Sequence, residues 1–437
     1  MNLATLKQAW RSRELRNRIA VVLGIMVVFR LLAYVPVPVP DNAKLAIFLK
    51  ELFNSSQLLG FANLFSGGGL SNFSIIMMGL GPYINASIII QLLTRVVPQL
   101  EALSKEGEQG RRKINQYTRV LTVPLAAVQS VGMVILIRQT SIQATQTDLI
   151  GHPGLFQWFL MIITMTAGTL LLMWLGEIIT EKGIGNGISL IIFAGIMSRL
   201  PSSAGQFLSL ASNDTGKIIE LILFLAATLG VIYILVLLNE GQRSIPVSYA
   251  RRVRGNRIYS GVDTYLPVRL ITAGVIPIIF ALAFLAVPAF VGQLLTSAKT
   301  AWVASFAHWL TTFFAQSTVS YGVSYFLLVV AFTFFYTGVV FNADEIAESM
   351  QKQGGFVPGI RPGKETAKYL NAVVTRLTLA GSVALGAIAV LPFIVQGLTH
   401  TQLLSLGGTG LLIIVAVALE TLKQLESRAI QISYDQY

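Results

Sequence analysis

The sequence predicts an all-α integral membrane protein of ten transmembrane helices, built as two pseudo-symmetric inverted halves around a central path. Three observations carry this: the number and length of its apolar runs, the placement of its basic residues, and the odd number of spans in each half. Of the 437 residues, 54% are hydrophobic and 12% charged, and mean hydropathy is +0.68. That balance excludes both an ordinary soluble enzyme and a disordered chain. Apolar runs at about 19–38, 75–97, 120–137, 155–176, 184–200, 218–238, 270–295, 322–341, 373–398 and 403–422 come close to the roughly 20 residues needed to cross a bilayer core. Of the 32 Lys and Arg, 23 lie at the chain ends or in alternate gaps, five in the other gaps, and four inside runs, of which only Arg30 stands well within one. Basic segments stay on the cytosolic side during insertion, so both termini are expected there. No sustained strand alternation suggests an outer-membrane barrel.

Taken in order, residues 1–18 carry Lys7, Arg11, Arg13, Arg16 and Arg18 without a small-residue cleavage pattern. They read as a cytoplasmic amphipathic helix on the membrane surface rather than a cleaved signal. Residues 19–200 hold five spans and 201–425 five more, with a tail at 426–437. Five is odd, so the halves enter the bilayer in opposite directions, and in inverted repeats a functional path runs between the halves. Before the second span stands GFANLFSGGGLSNFS, residues 60–74. Its glycines permit sharp reversals, and Ser71 or Asn72 is placed to cap the helix that follows. Two readings stand: an external loop, or a half-helix folded back into a protein-lined cavity.

The fifth run begins GIGNGISLIIFAGI, where Gly183, Gly185 and Gly187 allow close helix approach. Its GxGxG spacing, with no strand before it, is not a dinucleotide fingerprint. In the seventh run, AGVIPIIFA, Pro277 should remove a helix hydrogen bond and kink the helix. Residues 300–316, rich in Trp and Phe, read as an external interfacial helix. Arg30 is either a functional intramembrane charge or a side chain that snorkels to a nearby interface. Asp344, Glu345 and Glu348 form either a coupling-ion site or a solvated helix end beside Lys352.

Catalytic chemistry finds no purchase. Cysteine is absent, which removes thiol nucleophiles and thiolate metal sites. His152, His308 and His400 fall in three separate external gaps, and there is neither a metal-binding carboxylate spacing nor a Walker A loop. Mid-span carboxylates, which a proton- or sodium-coupled transporter would need, are missing too. The spans instead place aliphatic residues on Gly- and Pro-disturbed helices: Leu80 and Ile84, Ile188 and Ile192, Ile276, Ile413. The two pairs are spaced i, i+4 and share a helix face; they either line a path or serve ordinary packing. Net charge +12 follows from topology, or from contact with phosphate. The cytoplasmic segments at about 239–269 and 342–372 hold more cations than orientation requires. A secondary transporter with broken helices and a membrane scaffold without a pore remain as alternatives on these features.

Five stretches, in order, resemble the SecY/Sec61-alpha family of protein-conducting channel subunits: NLFSGGGLSNFSIIMMGLGPYINASIIIQLL, SKEGEQGRRKINQYTR, GIGNGISLIIFAGI, AGVIPIIFA and GGFVPGIRPGKETAKYL. The likeness runs from about residue 10 to 425. It implies an hourglass whose halves open like a clamshell, with a plug at about 60–74 that includes Leu64, Phe65, Ser66, Gly67, Gly68, Gly69 and Leu70. It also implies a pore ring of Leu80, Ile84, Ile188, Ile192, Ile276 and Ile413. The lateral gate falls between the second and seventh spans, beside the third and eighth, with Asn85, Gln91 and Pro277 along it. Docking of SecA and ribosomes falls to Arg243, Arg251, Arg252, Arg254, Arg257 and Arg361. Implied partners are SecE and SecG in a heterotrimer, SecA, the ribosome, SecDF, YidC, preprotein signal sequences and membrane lipids. The implied setting is the bacterial cytoplasmic membrane, with no cofactor and no enzymatic step in the chain itself.

Overall fold

The structure, a computed structural model, describes residues 12–39, 44–49, 63, 66–146, 148–151, 153–198, 201, 205, 215–249, 252–254, 257–259, 263–296, 300–315, 318–399 and 402–434. In the first half the helices are α1 (Arg13–Leu32), α2 (Gly81–Val96), α3 (Pro98–Lys105), α4 (Glu108–Thr145), α5 (Leu155–Lys182) and α6 (Gly187–Met197). In the second half they are α7 (Thr215–Glu240), α8 (Ile276–Leu295), α9 (Ala301–Phe313), α10 (Val319–Val340), α11 (Ala343–Lys352), α12 (Lys364–Thr399) and α13 (Gln402–Tyr434).

Each of the ten apolar runs carries a helix, in the order α1, α2, α4, α5, α6, α7, α8, α10, α12 and α13. Among the described residues, α4, α5, α8, α10 and α12 are by themselves long and apolar enough to cross a membrane, and α2 with α3 forms a sixth candidate broken by a 98° bend. Pro98 starts α3 and Val97 before it is extended, because a residue preceding proline is pushed out of the α region.

Local chemistry sets the helix ends. Asn186 caps α6: its Oδ1 accepts from the Ile188 and Ser189 amides. Gly183, Gly185 and Gly187 meet the expectation of close approach. A methyl on Gly187 would overlap the Gly176 carbonyl of α5, and one on Gly183 would lie 2.7 Å from Val22 Cγ2 of α1.

Two expectations are corrected here. Pro277 does not kink a span: residues 270–275 are bends and turns, α8 starts at Ile276, and the proline sits in its first turn. An amide there has no intrahelical partner to lose, so the ring fits without strain. Nor do Ser71 and Asn72 cap the following helix. Residues 75–80 are turns, α2 begins at Gly81 and Leu80 is its cap residue.

Helix contacts fall into two bundles. In one, α5 packs on α1, α2, α4 and α6; in the other, α10 packs on α8 and α12, and α13 on α7 and α12. The bundles meet along two seams: α8 against α2 and α4 on one side, α6 against α13 on the other. One apolar core runs through both bundles.

The basic segment after α7 is not an irregular loop. It forms β1 (Gln242–Tyr249), β2 (Arg252–Arg254), β3 (Arg257–Tyr259) and β4 (Asp263–Arg269). β1 pairs antiparallel with β4, from Gln242 opposite Arg269 to Ser248 opposite Asp263, and its far edge takes β5 (Gly355–Phe356). Ile245 and Val247 alternate inward onto a core with Met350, Leu370 and Val374, which fastens the hairpin to the start of α12.

Candidate functional site: aliphatic residues at two helix seams and a buried turn segment

The six aliphatic residues read from the sequence lie on or directly beside helices of the two seams. Leu80 precedes α2 and Ile84 lies one turn in; Ile188 and Ile192 are on α6, Ile276 opens α8 and Ile413 is on α13. All but Leu80 belong to helices that join the halves. Leu80, Ile84, Ile192 and Ile413 are part of one apolar cluster, and Ile188 and Ile276 pack against it. Leu80 and Ile192 are fully buried, Ile84 and Ile413 nearly so. Leu80 stands outside the helix, yet its carbonyl accepts from the Ile84 amide at 2.9 Å, so the i, i+4 relation read from sequence survives. Groups of this kind offer a hydrated ion no replacement for its water.

Residues 66–73 fold as successive turns rather than a half-helix, Ser74 follows in an isolated bridge with Pro36, and the segment is almost wholly buried, unlike an exposed external loop. Part of the polar content is paired locally, while Asn63 Nδ2 and Ser74 Oγ are buried without a partner. Asn63 Oδ1 accepts from the Ser71 amide at 3.1 Å, Ser66 Oγ from the Leu70 amide at 3.1 Å, and Ser71 Oγ donates to the Gly68 carbonyl at 2.9 Å. Gly67 and Gly68 hold φ of 62° and 90°, in the region that favours glycine. The later end is tied to the chain beyond α1: Asn72 Nδ2 donates to the Ala33 carbonyl, the Val37 amide to Phe73 O and the Ile75 amide to Val35 O. Leu64 and Phe65 lie outside the described residues.

Along the first seam, Asn85 is half-buried on α2. Gln91 Nε2 donates to Ser87 Oγ at 2.9 Å, while its Oε1 is buried without a partner. Ser130 Oγ on α4, Gln293 Oε1 on α8 and Thr337 Oγ1 on α10 share that condition. Each of the four helices on this side thus carries an unsatisfied polar atom, at a cost of about 1–3 kcal/mol apiece. Arg95 at the end of α2 donates to the Gly338 carbonyl of α10, a hydrogen bond that spans the two halves. Sequence reading did not single out Arg95, although its place in the last turn of an apolar helix was a visible signal.

On the basic face, Arg243 is exposed on β1 and Arg361 is exposed in a turn bounded by Gly359 and Gly363, whose φ values are 82° and 95°. Thr366 Oγ1 donates to the Arg361 carbonyl at 2.9 Å, fixing the backbone that presents this guanidinium. Arg252 and Arg254 lie on β2 and Arg257 on β3; Arg251 lies outside the described residues. The acidic trio resolves as a solvated helix end, with Asn342 capping α11 and Glu348 paired to Lys352 at 2.7 Å, both well exposed. Among the described residues no group of metal-ligating side chains occurs.

The family model described as SecY matches residues 74–422. The protein translocase subunit SecY of Streptomyces scabiei is 41% identical over 438 residues, covering 99% of each chain. Its counterpart from Corynebacterium glutamicum is 42% identical over 446 residues, again covering 99% of each. Among solved structures, one showing that the SecY plug domain stabilises the closed state of the channel superposes with TM-score 0.65 at 19% identity, covering 95% of this chain and 92% of that one. Canine Sec61 in a ribosome–channel complex gives TM-score 0.61 at 19% identity, covering 93% and 90%.

Proposed function

The chain belongs to the SecY family and is a multi-pass channel subunit of a protein translocase, and from that premise we propose how its own residues conduct and release polypeptides. Leu80, Ile84, Ile188, Ile192, Ile276 and Ile413 form the constriction. The observation that carries this is their common place on or directly beside the helices that join the two bundles, within or against one apolar cluster. Separating the bundles moves ring members apart in pairs. Aliphatic side chains then yield around an unfolded chain without gripping any sequence, and at rest their apolar surface resists wetting.

Residues 66–74 are the plug. Ser66 with Leu70 and Ser71 with Gly68 are paired within the segment, and those pairs travel with it when it moves. The lateral gate is the seam of α2 and α4 with α8, extended by α10, with Asn85, Gln91 and Pro277 beside it. A signal sequence leaves through it because its apolar face is favoured in lipid by about 25 cal/mol per Å². The unsatisfied atoms on Gln91, Ser130, Gln293 and Thr337 weaken the closed seam, so opening recovers part of its cost in hydration or new partners.

Arg243, Arg251, Arg252, Arg254, Arg257 and Arg361 form the cytosolic docking face. Guanidinium groups suit both ribosomal phosphate and carboxylates of SecA. The driving force comes from those partners, with SecE and SecG completing the heterotrimer and SecDF and YidC as further associates. The setting is the bacterial cytoplasmic membrane, with both termini in the cytosol. Reconstitution of the chain with SecE and SecG into liposomes tests the reading. ATP- and SecA-dependent protection of a preprotein is the expected result; substrate-dependent solute flux without such protection would replace it with a secondary transporter.

A further inference from the structure

Arg30, the charge that stands deepest within an apolar run of the sequence, lies on the last turn of α1 and is half-buried. Its guanidinium reaches three segments at once. Nη1 donates to the Gly67 carbonyl at 2.8 Å and to Ser198 Oγ at 3.1 Å, while Nη2 donates to Tyr34 Oη at 2.9 Å. The Tyr34 ring stacks under it, 5.0 Å from centroid to Cζ. Ser198 caps the end of α6, and its Oγ donates to the Gly195 carbonyl at 2.8 Å. Gly195 in turn faces Gly67 so closely that a methyl on Gly67 would stand 3.2 Å from Gly195 Cα. The side chain therefore ties α1, α6 and the turn segment together.

We propose that Arg30 is the latch of the plug, a positioning residue that keeps residues 66–71 docked in the resting channel. The inference rests on the reading of residues 66–74 as plug and goes beyond it by naming what holds the segment. The geometry separates two ends. The later end is fixed by the backbone bonds from Val37 and Ile75 and by Asn72, so it forms a hinge. The Gly67 end is held by Arg30 and by packing against Phe29, and a single carbonyl contact there can break without unfolding a helix. Since α1 and α6 belong to the same bundle, the latch does not itself join the halves; it decides whether the turns stay with their bundle when the seams part. Arginine suits the task because its planar fork supplies several donors in fixed directions and stays charged.

The chain has no cysteine, so a single introduced thiol reports plug position. Complexes with SecE and SecG carrying Leu70→Cys, a buried site, are reconstituted; resting potassium conductance and the rate of labelling by a membrane-impermeant thiol reagent are measured. Losing a hydrogen bond to a charged group should shift the docked population about tenfold, so Arg30→Gln should raise both readouts about tenfold and Arg30→Lys less. In a chain lacking residues 66–72, Arg30→Gln should add no further conductance, whereas a general loosening of the fold would add the same leak with or without the plug. Conductance and labelling within twofold of the parent, in an Arg30→Gln complex of normal yield, would overturn the latch, as would equal added leak in the deletion background. If Arg30→Gln does not accumulate, Tyr34→Phe with Ser198→Ala frees the guanidinium instead; a rise in labelling supports the latch and none overturns it. A deletion that itself fails to leak would overturn the plug reading, and the latch with it; the latch alone falls when the deletion leaks and Arg30→Gln does not.

Discussion

Gly67→Ala is the sharpest test of how tightly the turn segment is built into the closed channel. Gly67 has φ of 62°, where a side chain costs about 1–2 kcal/mol. The new methyl would overlap Phe29 Cζ and come within 2.9 Å of Cε1 and 3.2 Å of Gly195 Cα. Phe29 is 1% exposed and the other neighbour is backbone, so neither can step aside; overpacking of this kind costs about 1–3 kcal/mol. Together these disfavour the docked plug by about 2–5 kcal/mol, or roughly 30-fold to a few thousand-fold in population. The assay is potassium conductance of the reconstituted complex without substrate, and the expected result is a resting leak raised at least about tenfold. Gly81→Ala is the matched control, because a methyl there meets nothing within 4 Å. A Gly67→Ala complex of normal yield that leaks no more than the Gly81→Ala complex would refute the argument that this backbone is wedged against α1 and α6.

The other predictions concern the ring, the docking face and a helix contact. Ile84→Ser with Ile192→Ser replaces two buried aliphatic groups by hydroxyls that water can follow, so resting leak should rise in single-channel recordings; unchanged leak would mean that the plug alone seals. Arg361→Glu reverses a charge in a turn braced by Thr366. SecA-driven export of a preprotein should fall about tenfold or more while membrane insertion of the chain is unaffected, and undiminished export would remove Arg361 from the docking face. Gly187→Ala drives a methyl into the Gly176 carbonyl, backbone against backbone. The detergent-extracted complex should lose several degrees of thermal stability, and an unchanged melting temperature would show that α5 and α6 can part there without cost.

Some of the architecture was legible because its physical cause is local. Basic gaps report topology because charge resists crossing a bilayer, and the glycines of GIGNG announced a close contact because no other residue permits one. The acidic trio beside Lys352 left two readings open in the sequence, and the Asn342 cap and the Glu348–Lys352 pair of α11 favour the solvated helix end. Other features escaped. Pro277 looked like a kink because hydropathy carries on through residues 270–275, but apolarity does not require a helix there. The hairpin of β1 and β4 was hidden among cations, although the inward pair Ile245 and Val247 was a signal for it.

By itself, then, the amino-acid order determined how often the chain runs through apolar surroundings, which face is cationic, and which residues are too greasy or too small to be accidental. Those properties belong to single side chains and their near neighbours, and solvent preference acts on them residue by residue. Only the tertiary structure decided that Leu80, Ile84, Ile188, Ile192, Ile276 and Ile413 lie within or against one cluster, on or beside the helices of two seams, and that Arg30 ends on Gly67, 37 positions away, and on Ser198, 168 away. Such pairings depend on how whole helices cross and on which carbonyls are left open once the bundles close, and no local pattern encodes that geometry.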